Sequence, residues 1–127
     1  MTAKTTPKAT LPLTEPAAAG SCNTVLLRGR VSAVEETRVM PSGDELRTLR
    51  LVVPRVPVKG RKATVDTIDI ACWTAATRRI AGRLGPGDEV AVTGSLHRRF
   101  FKTPAGAASR YEVEAAEIRR VSAPPGE

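Results

Sequence analysis

Thr67-Ile68-Asp69-Ile70-Ala71-Cys72-Trp73-Thr74 is where the periodicity of this chain changes, and the change decides the fold. Up to Trp73 the stretch alternates as a strand does. Ile68, Ile70 and Cys72 share one face, and Thr67, Asp69, Ala71 and Trp73 share the other. From Thr74 the period becomes helical. Ala76, Ile80 and Leu84 recur at one face, Thr74 is placed to cap the first turn, and Gly85-Pro86-Gly87 stops the helix. Alternation resumes at Glu89. The spacing therefore predicts a strand over Val65 to Trp73, a short helix over Thr74 to Leu84 and a strand over Glu89 to Phe101.

Two more strands precede this unit. Asn23 to Val34 places Val25, Leu27 and Val31 inward, and Gly29 marks a bulge or sharp bend of the kind that lets one strand serve two sheets. Met40-Pro41-Ser42-Gly43-Asp44 is turn chemistry. Glu45 to Arg55 follows, with Leu49, Leu51 and Val53 inward and Thr48, Arg50 and Val52 outward. A basic loop, Pro54 to Ala63, leads to the central strand. After it, Gly94 is a second bend, Lys102 to Ser109 reads as a polar hairpin loop, and Arg110 to Val121 is a last strand with Tyr111, Val113 and Ala115 inward and a bulge before Ile118. The order β-β-β-α-β-β predicts an all-β, five-stranded OB-fold barrel with one short helix between strands three and four. A small open sheet with one helix is the structural rival. The expected organisation is a flexible arm over residues 1–21, rich in Thr, Pro and Ala, the barrel over 22–121, and a short disordered end over 122–127.

The 127 residues suit one domain, and 41% hydrophobic residues suit a modest core. Aromatics make up only 3%, so that core is aliphatic. A formal net charge of +7 points to a polyanionic partner, nucleic acid or an anionic membrane surface. No apolar run is long enough to cross a bilayer, and the polar N-terminus lacks the apolar centre of a secretory signal. The expectation is a cytoplasmic, nucleoid-associated protein without a membrane partner, with Cys22 and Cys72 reduced and Cys72 in the core. There is no CxxC or Cys/His cluster, no Walker motif and no HExxH. No metal, cofactor or enzyme activity is expected.

Three of the four aromatic residues fall in two segments, one ending at Trp73 and the other running Gly94-Ser95-Leu96-His97-Arg98-Arg99-Phe100-Phe101. In the second, Leu96 and Phe100 share a face opposite His97, Arg99 and Phe101. Aromatic rings beside arginines offer stacking surfaces for bases and cations for phosphates. Trp73 and Phe101 are the expected stacking residues, with Arg99 beside them and His97 facing solvent or phosphate. Arg50, Arg55, Lys59, Arg61 and Lys62 are expected to meet phosphates. Arg78 and Arg79 read as a solvated helix face, Tyr111 as core or subunit-interface packing, and Glu112 and Glu114 as neighbours on one strand face without an acid/base partner.

In order and spacing, several short pieces resemble the bacterial single-stranded DNA-binding protein family. They are Asn23-Thr24-Val25-Leu26-Leu27-Arg28-Gly29, Met40-Pro41-Ser42-Gly43, Asp69-Ile70-Ala71-Cys72-Trp73, Leu84-Gly85-Pro86-Gly87-Asp88-Glu89-Val90 leading to Gly94-Ser95-Leu96, and Gly106 with Arg110-Tyr111. The resemblance implies an OB-fold that assembles as a homo-oligomer, a tetramer or dimer, and wraps single-stranded DNA. It places Trp73 and Phe101 on stacking positions and Arg99 on a basic one. It also exposes departures. Thr67 and Pro57 stand where the family often carries aromatics, and Asp69 is an acid that should repel phosphate unless it is paired. Each missing stacking partner forfeits roughly 1–3 kcal/mol. The chain closes on Pro124-Pro125-Gly126-Glu127 rather than on the family's acidic recruiting tip. It thus looks like a short paralogue for which tail-mediated protein partners are not expected.

The function expected is to bind and protect single-stranded DNA with little sequence preference, in replication, recombination or repair. The rivals are an OB-fold protein-interaction module with weak or no DNA affinity, and a nonspecific RNA binder, since stacking and charge do not distinguish the 2′-hydroxyl.

Overall fold

The computed structural model describes residues 20–121. The expected arm over 1–21 thus lies outside the described residues except for Gly20 and Ser21, and the expected end over 122–127 lies outside them entirely. The elements are β1 (Val25–Val34), β2 (Arg38–Val39), β3 (Glu45–Pro54), β4 (Val65–Cys72), α1 (Ala75–Ala81), β5 (Glu89–Thr103) and β6 (Gly106–Arg120). Hydrogen bonding runs β1-β5-β6-β4-β3, and β1 also pairs with β3, which closes a five-stranded barrel. All of these pairings are antiparallel except β4 with β6. The closed barrel is the expected OB-fold, and the open sheet is excluded. The two-residue strand β2, which the sequence pattern did not announce, lies against the edge of β3.

Closure depends on β1 serving two partners. It pairs with β5 from Val25 to Arg30 and with β3 from Arg30 to Val34, with a register shift between Val31 and Ala33. Gly29 stands at this corner because a Cβ there would run into the Val52 carbonyl oxygen. The second bend is at Gly94. Thr93 pairs with Glu117 and Gly94 with Ala115, which leaves Ala116 as the extra residue of a bulge. The bend expected at Gly94 and the bulge expected before Ile118 are one feature seen from its two strands.

The core is aliphatic throughout. Val31, Leu49, Leu51, Ile70, Cys72, Val90, Val92, Val113, Ala115 and Ile118 fill the barrel, and Ala81 and Leu84 from the helix segment join them. Thr74 caps α1 as expected, its hydroxyl accepting from the Thr77 N–H at 3.1 Å. The helix is shorter than the spacing predicts. Gly82 is its C-cap, and the chain continues with tight bonds from the Arg83 N–H to the Ile80 carbonyl and from the Leu84 N–H to the Ala81 carbonyl. The buried residues of α1 are Thr77 and Ala81, whereas Ala76 is exposed.

Two further expectations are corrected. The polar loop over Lys102 to Ser109 is strand. The ladder runs without a break to Thr103↔Gly106, and only Pro104 and Ala105 form the turn. The Thr103 hydroxyl closes it by donating to the Gly106 carbonyl at 2.8 Å and accepting from the Ala105 N–H at 3.2 Å. Small residues resemble a loop in sequence, but ladder hydrogen bonds need only backbone. Tyr111 shares a face with Val113 as expected, yet it is 60% exposed because the hairpin has left the barrel by that point. Asn23 anchors the hairpin's base. Its side-chain amide donates to the Leu96 carbonyl and accepts from the Leu96 N–H, both at 2.8 Å, which extends β1 by a side chain in place of backbone. No helix among the described residues is long and apolar enough to cross a membrane.

Candidate nucleic-acid interface

The outer face of β3, β4, β6 and β5 forms one surface. Strand alternation places Thr48 and Arg50 on it from β3, and Thr67 and Asp69 from β4, with Ala71 of the same parity covered by its neighbours. It places Arg110, Glu112 and Glu114 there from β6, and Ser95, His97, Arg99 and Phe101 from β5. A shallow depression of about 320 Å³ lies at the hairpin end of this surface, lined by Arg38, Arg50, Arg99, Phe101 and Arg110 together with Asp69, Glu112 and Glu35. Of the expected site residues, Arg50, Arg99 and Phe101 therefore meet. Phe101 is half-buried, and the Arg110 guanidinium sits over its ring, 5.1 Å from the centroid.

The three carboxylates that the strands place on the face, Asp69, Glu112 and Glu114, are all engaged. Asp69 bridges two strands, accepting from Arg110 at 3.1 Å on one oxygen and lying 3.6 Å from Arg50 Nε on the other. The acid that should repel phosphate is thus paired. Glu112 is buried, with Arg99 Nη1 at 3.6 Å. Glu114 lies 2.9 Å from His97 Nε2, which is also 2.8 Å from the Ser95 hydroxyl. These two glutamates, read from the sequence as having no acid/base partner, pair with the histidine and arginine of the neighbouring strand. The pairs of Asp69 with the exposed Arg50 and Arg110 contribute about 0–1 kcal/mol each, so a phosphate can take over either of these arginines at little cost, whereas drawing Arg99 away leaves the buried Glu112 without its partner.

The other expected residues are dispersed. Trp73 follows β4 on the same outward alternation and is half-buried. Ala71 is level with Glu114 and Phe101 with Ala108, so Trp73 and Phe101 stand about 25 Å apart along the strand direction. They mark the two ends of the face rather than one platform. Trp73 is held by its backbone, since Arg78 donates to its carbonyl and to that of Glu45 and lies 3.6 Å from the Glu45 carboxylate. Arg78 is therefore a tether between β3 and α1, not the solvated side chain expected of it. Arg79 is exposed.

The loop after β3 rises beside the hairpin tip, because Pro54 pairs with Val65 at the end of β4 that lies level with Ala108. Lys59, Arg61 and Lys62 are exposed in it. Arg55 is not available in the same way. Asp66 accepts from its Nε and Nη2, the closest contact being 2.8 Å. These hydrogen bonds hold the Asp66 carboxyl below its ordinary range and push the Arg55 guanidinium above its own. The loop itself contains no acid, but the strand across from it supplies one.

Sequence reasoning missed Arg110 and Arg38. Arg110 had a usable signal, since it shares strand parity with Glu112 and Glu114. The loop assigned just before it hid the pairing Arg99↔Arg110. Arg38 sits on a two-residue strand, too short for periodicity to register.

Among curated proteins none matches this chain. Its fold is similar to that of a solved chain described as Plasmodium falciparum SSB complex with ssDNA, with a TM-score of 0.69 and 20% sequence identity over 84% of this chain and 100% of that one. The barrel, its strand order and the helix between β4 and β5 are thus those of an OB-fold. The single-strand binding protein family matches residues 22–121, and on that match, which takes in every strand of the barrel, the chain belongs to the family.

Proposed function

We propose that the chain binds single-stranded DNA along the outer face of β3, β4, β6 and β5, with Phe101 and Trp73 stacking on bases at its two ends. The observation that carries this reading is the convergence of Arg50, Arg99 and Arg110 on Phe101. A ring already lying under one guanidinium and ringed by others can take a base on its free surface while the arginines meet the flanking phosphates. Lys59, Arg61 and Lys62 extend the positive track past the hairpin. His97 lies midway and donates to phosphate where Glu114 releases it. The action is non-catalytic. Coating the strand shields it from nucleases and from re-pairing, a role suited to replication, recombination or repair in the cytoplasm. Assembly into a homo-oligomer, dimer or tetramer, gives the strand a longer path.

The test is a titration of fluorescently labelled oligo(dT), with the emission of Trp73, the sole tryptophan, read alongside in the proteins that retain it. Quenching on binding, with Phe101→Ala and Trp73→Ala each weakening affinity about 5- to 150-fold, supports the reading. Unchanged affinity in both variants overturns it. A second reading, an interaction module with weak DNA affinity, is favoured by one observation: Asp69, Glu112 and Glu114 offset much of the positive charge of the face. Absence of oligo(dT) binding at low salt would support that module. Competition with oligo(U) separates DNA from RNA.

A further inference from the structure

All four aromatic side chains lie outside the barrel core. Trp73 and Phe101 are half-buried, Tyr111 is 60% exposed and Phe100 is 71% exposed. Burial is the ordinary fate of such rings, and an aliphatic core that admits none of them leaves their exposure to be explained by a ligand. Trp73 and Phe101 are accounted for by the face just described. Phe100 and Tyr111 are not, because they lie on the opposite face of the β5–β6 hairpin.

We propose that Arg98, Phe100 and Tyr111 form a second base-stacking surface for single-stranded DNA, so that one bound strand engages both faces of the hairpin. This inference rests on the reading above and extends it. Arg98 pairs with Tyr111 across the ladder, and its guanidinium stands 5.1 Å from the Phe100 ring centroid and 5.5 Å from that of Tyr111. Its Nε donates to the Ser109 hydroxyl at 3.1 Å, which fixes it in place between the two rings. The result is a pre-ordered guanidinium and aromatic platform.

Charge identifies the occupant. On this face β5 presents Leu96, Arg98, Phe100 and Lys102, and β6 presents Val113, Tyr111, Ser109 and Ala107. It carries two cations and no acid. Among the described residues, neither Arg98 nor Lys102 has a carboxylate partner, whereas Arg50, Arg99 and Arg110 on the other face all do. Exposed rings between unpaired cations suit a polyanion that carries its own π-faces. A second copy of this chain suits it poorly, since a two-fold contact would set Arg98 and Lys102 against themselves.

The experiment compares wild-type, Phe100→Ala, Tyr111→Ala, Arg98→Ala and Phe101→Ala proteins on oligo(dT) of about 16 nucleotides, the upper range of one barrel. Sedimentation of each free protein and photo-crosslinking to an iodouracil-substituted oligonucleotide accompany the titrations. Phe100 and Tyr111 are exposed, so their truncation leaves the barrel intact. The proposal expects Phe100→Ala and Tyr111→Ala each to weaken binding about 5- to 150-fold at unchanged mass. It also expects crosslinks at Tyr111 or Phe100. Arg98→Ala should lower the steepness of the salt dependence by about 0.7. Full affinity in Phe100→Ala and Tyr111→Ala, with Phe101→Ala weakened, overturns this second surface and leaves the first intact. Loss of assembly in Phe100→Ala or Tyr111→Ala without crosslinks overturns it in favour of a subunit contact. Full affinity in Phe101→Ala as well strikes the underlying reading instead.

Discussion

Asp69 shows how one side chain can set the strength of a binding face. It neutralises Arg50 and Arg110 from the strand between them. A phosphate approaching either arginine must displace a carboxylate that stays nearby and repels it. Asp69→Asn keeps the shape and removes that charge, and it should raise oligo(dT) affinity about fivefold at low salt, equivalent to about 1 kcal/mol. A fall in affinity would mean instead that Asp69 is needed to aim the arginines. The two cysteines differ in a way a reagent can read. Cys22 is exposed, and Cys72 is buried in the barrel. Burial pushes the Cys72 thiol from 9.0 up to about 11, offset in part by the nearby Thr77 hydroxyl and by Arg47 and Arg78. In the native protein one thiol per chain should react with a disulfide reagent near pH 8, and the second only on unfolding. Because the folded state favours the protonated thiol, this contribution to stability is complete below pH 9.0 and is lost as pH rises through about 11. Urea midpoints measured across that window should fall, and the fall should shrink in Cys72→Ala.

The elements place the functional side chains through two irregularities. The bend of β1 at Gly29 closes the barrel, and the bulge at Ala116 resets the alternation of β6. Without that reset, a strand carrying Glu112 outward could not also carry Ile118 inward. Gly94 makes the bulge sterically possible, because a Cβ there would sit well inside contact distance of the Glu114 carbonyl oxygen, a backbone atom unable to move aside. Gly94→Ala should cost about 1–3 kcal/mol or more in thermal or urea unfolding. It should weaken DNA binding as well, since the extended hairpin departs from this point. The extended hairpin is the element that matters most for function. Its ladder keeps Arg99 and Arg110 opposite each other and gives Phe100 and Phe101 opposite faces.

At the scale of the whole molecule, the formal charge of +7 overstates the charge available to DNA. Arg50, Arg55, Arg78, Arg99, Arg110 and Arg120 all have carboxylate partners. Exchanging a carboxylate for a phosphate releases few counterions. The unpaired cations of the candidate track among the described residues are Arg38, Lys59, Arg61 and Lys62, so the slope of log K against log salt should be about −3, or about −4 if Arg98 and Lys102 also engage. A titration series in potassium chloride measures this directly. A slope steeper than about −5 would show that the ion pairs of the face open fully on binding.

Much of this architecture could be read along the chain, because its signals are local. The change of period at Thr74, the cap it provides, the bends at Gly29 and Gly94 and the aliphatic alternation of β3 and β4 depend on neighbours a few residues away. They were enough to give a five-stranded barrel with one helix and to nominate Arg50, Arg99 and Phe101. What the chain could not disclose is which charges cancel and which strands pair over a distance. Asp69 meets Arg110 across 41 positions, and Arg55 meets Asp66 across 11. No periodicity registers such pairs. The hairpin ladder through Ala107 and Ala108 is likewise made of backbone hydrogen bonds, to which side-chain pattern is blind. Local sequence fixes the faces of each strand. Only closure of the barrel brings those faces together, and with them the ionic and aromatic contacts that decide where a strand of nucleic acid can lie.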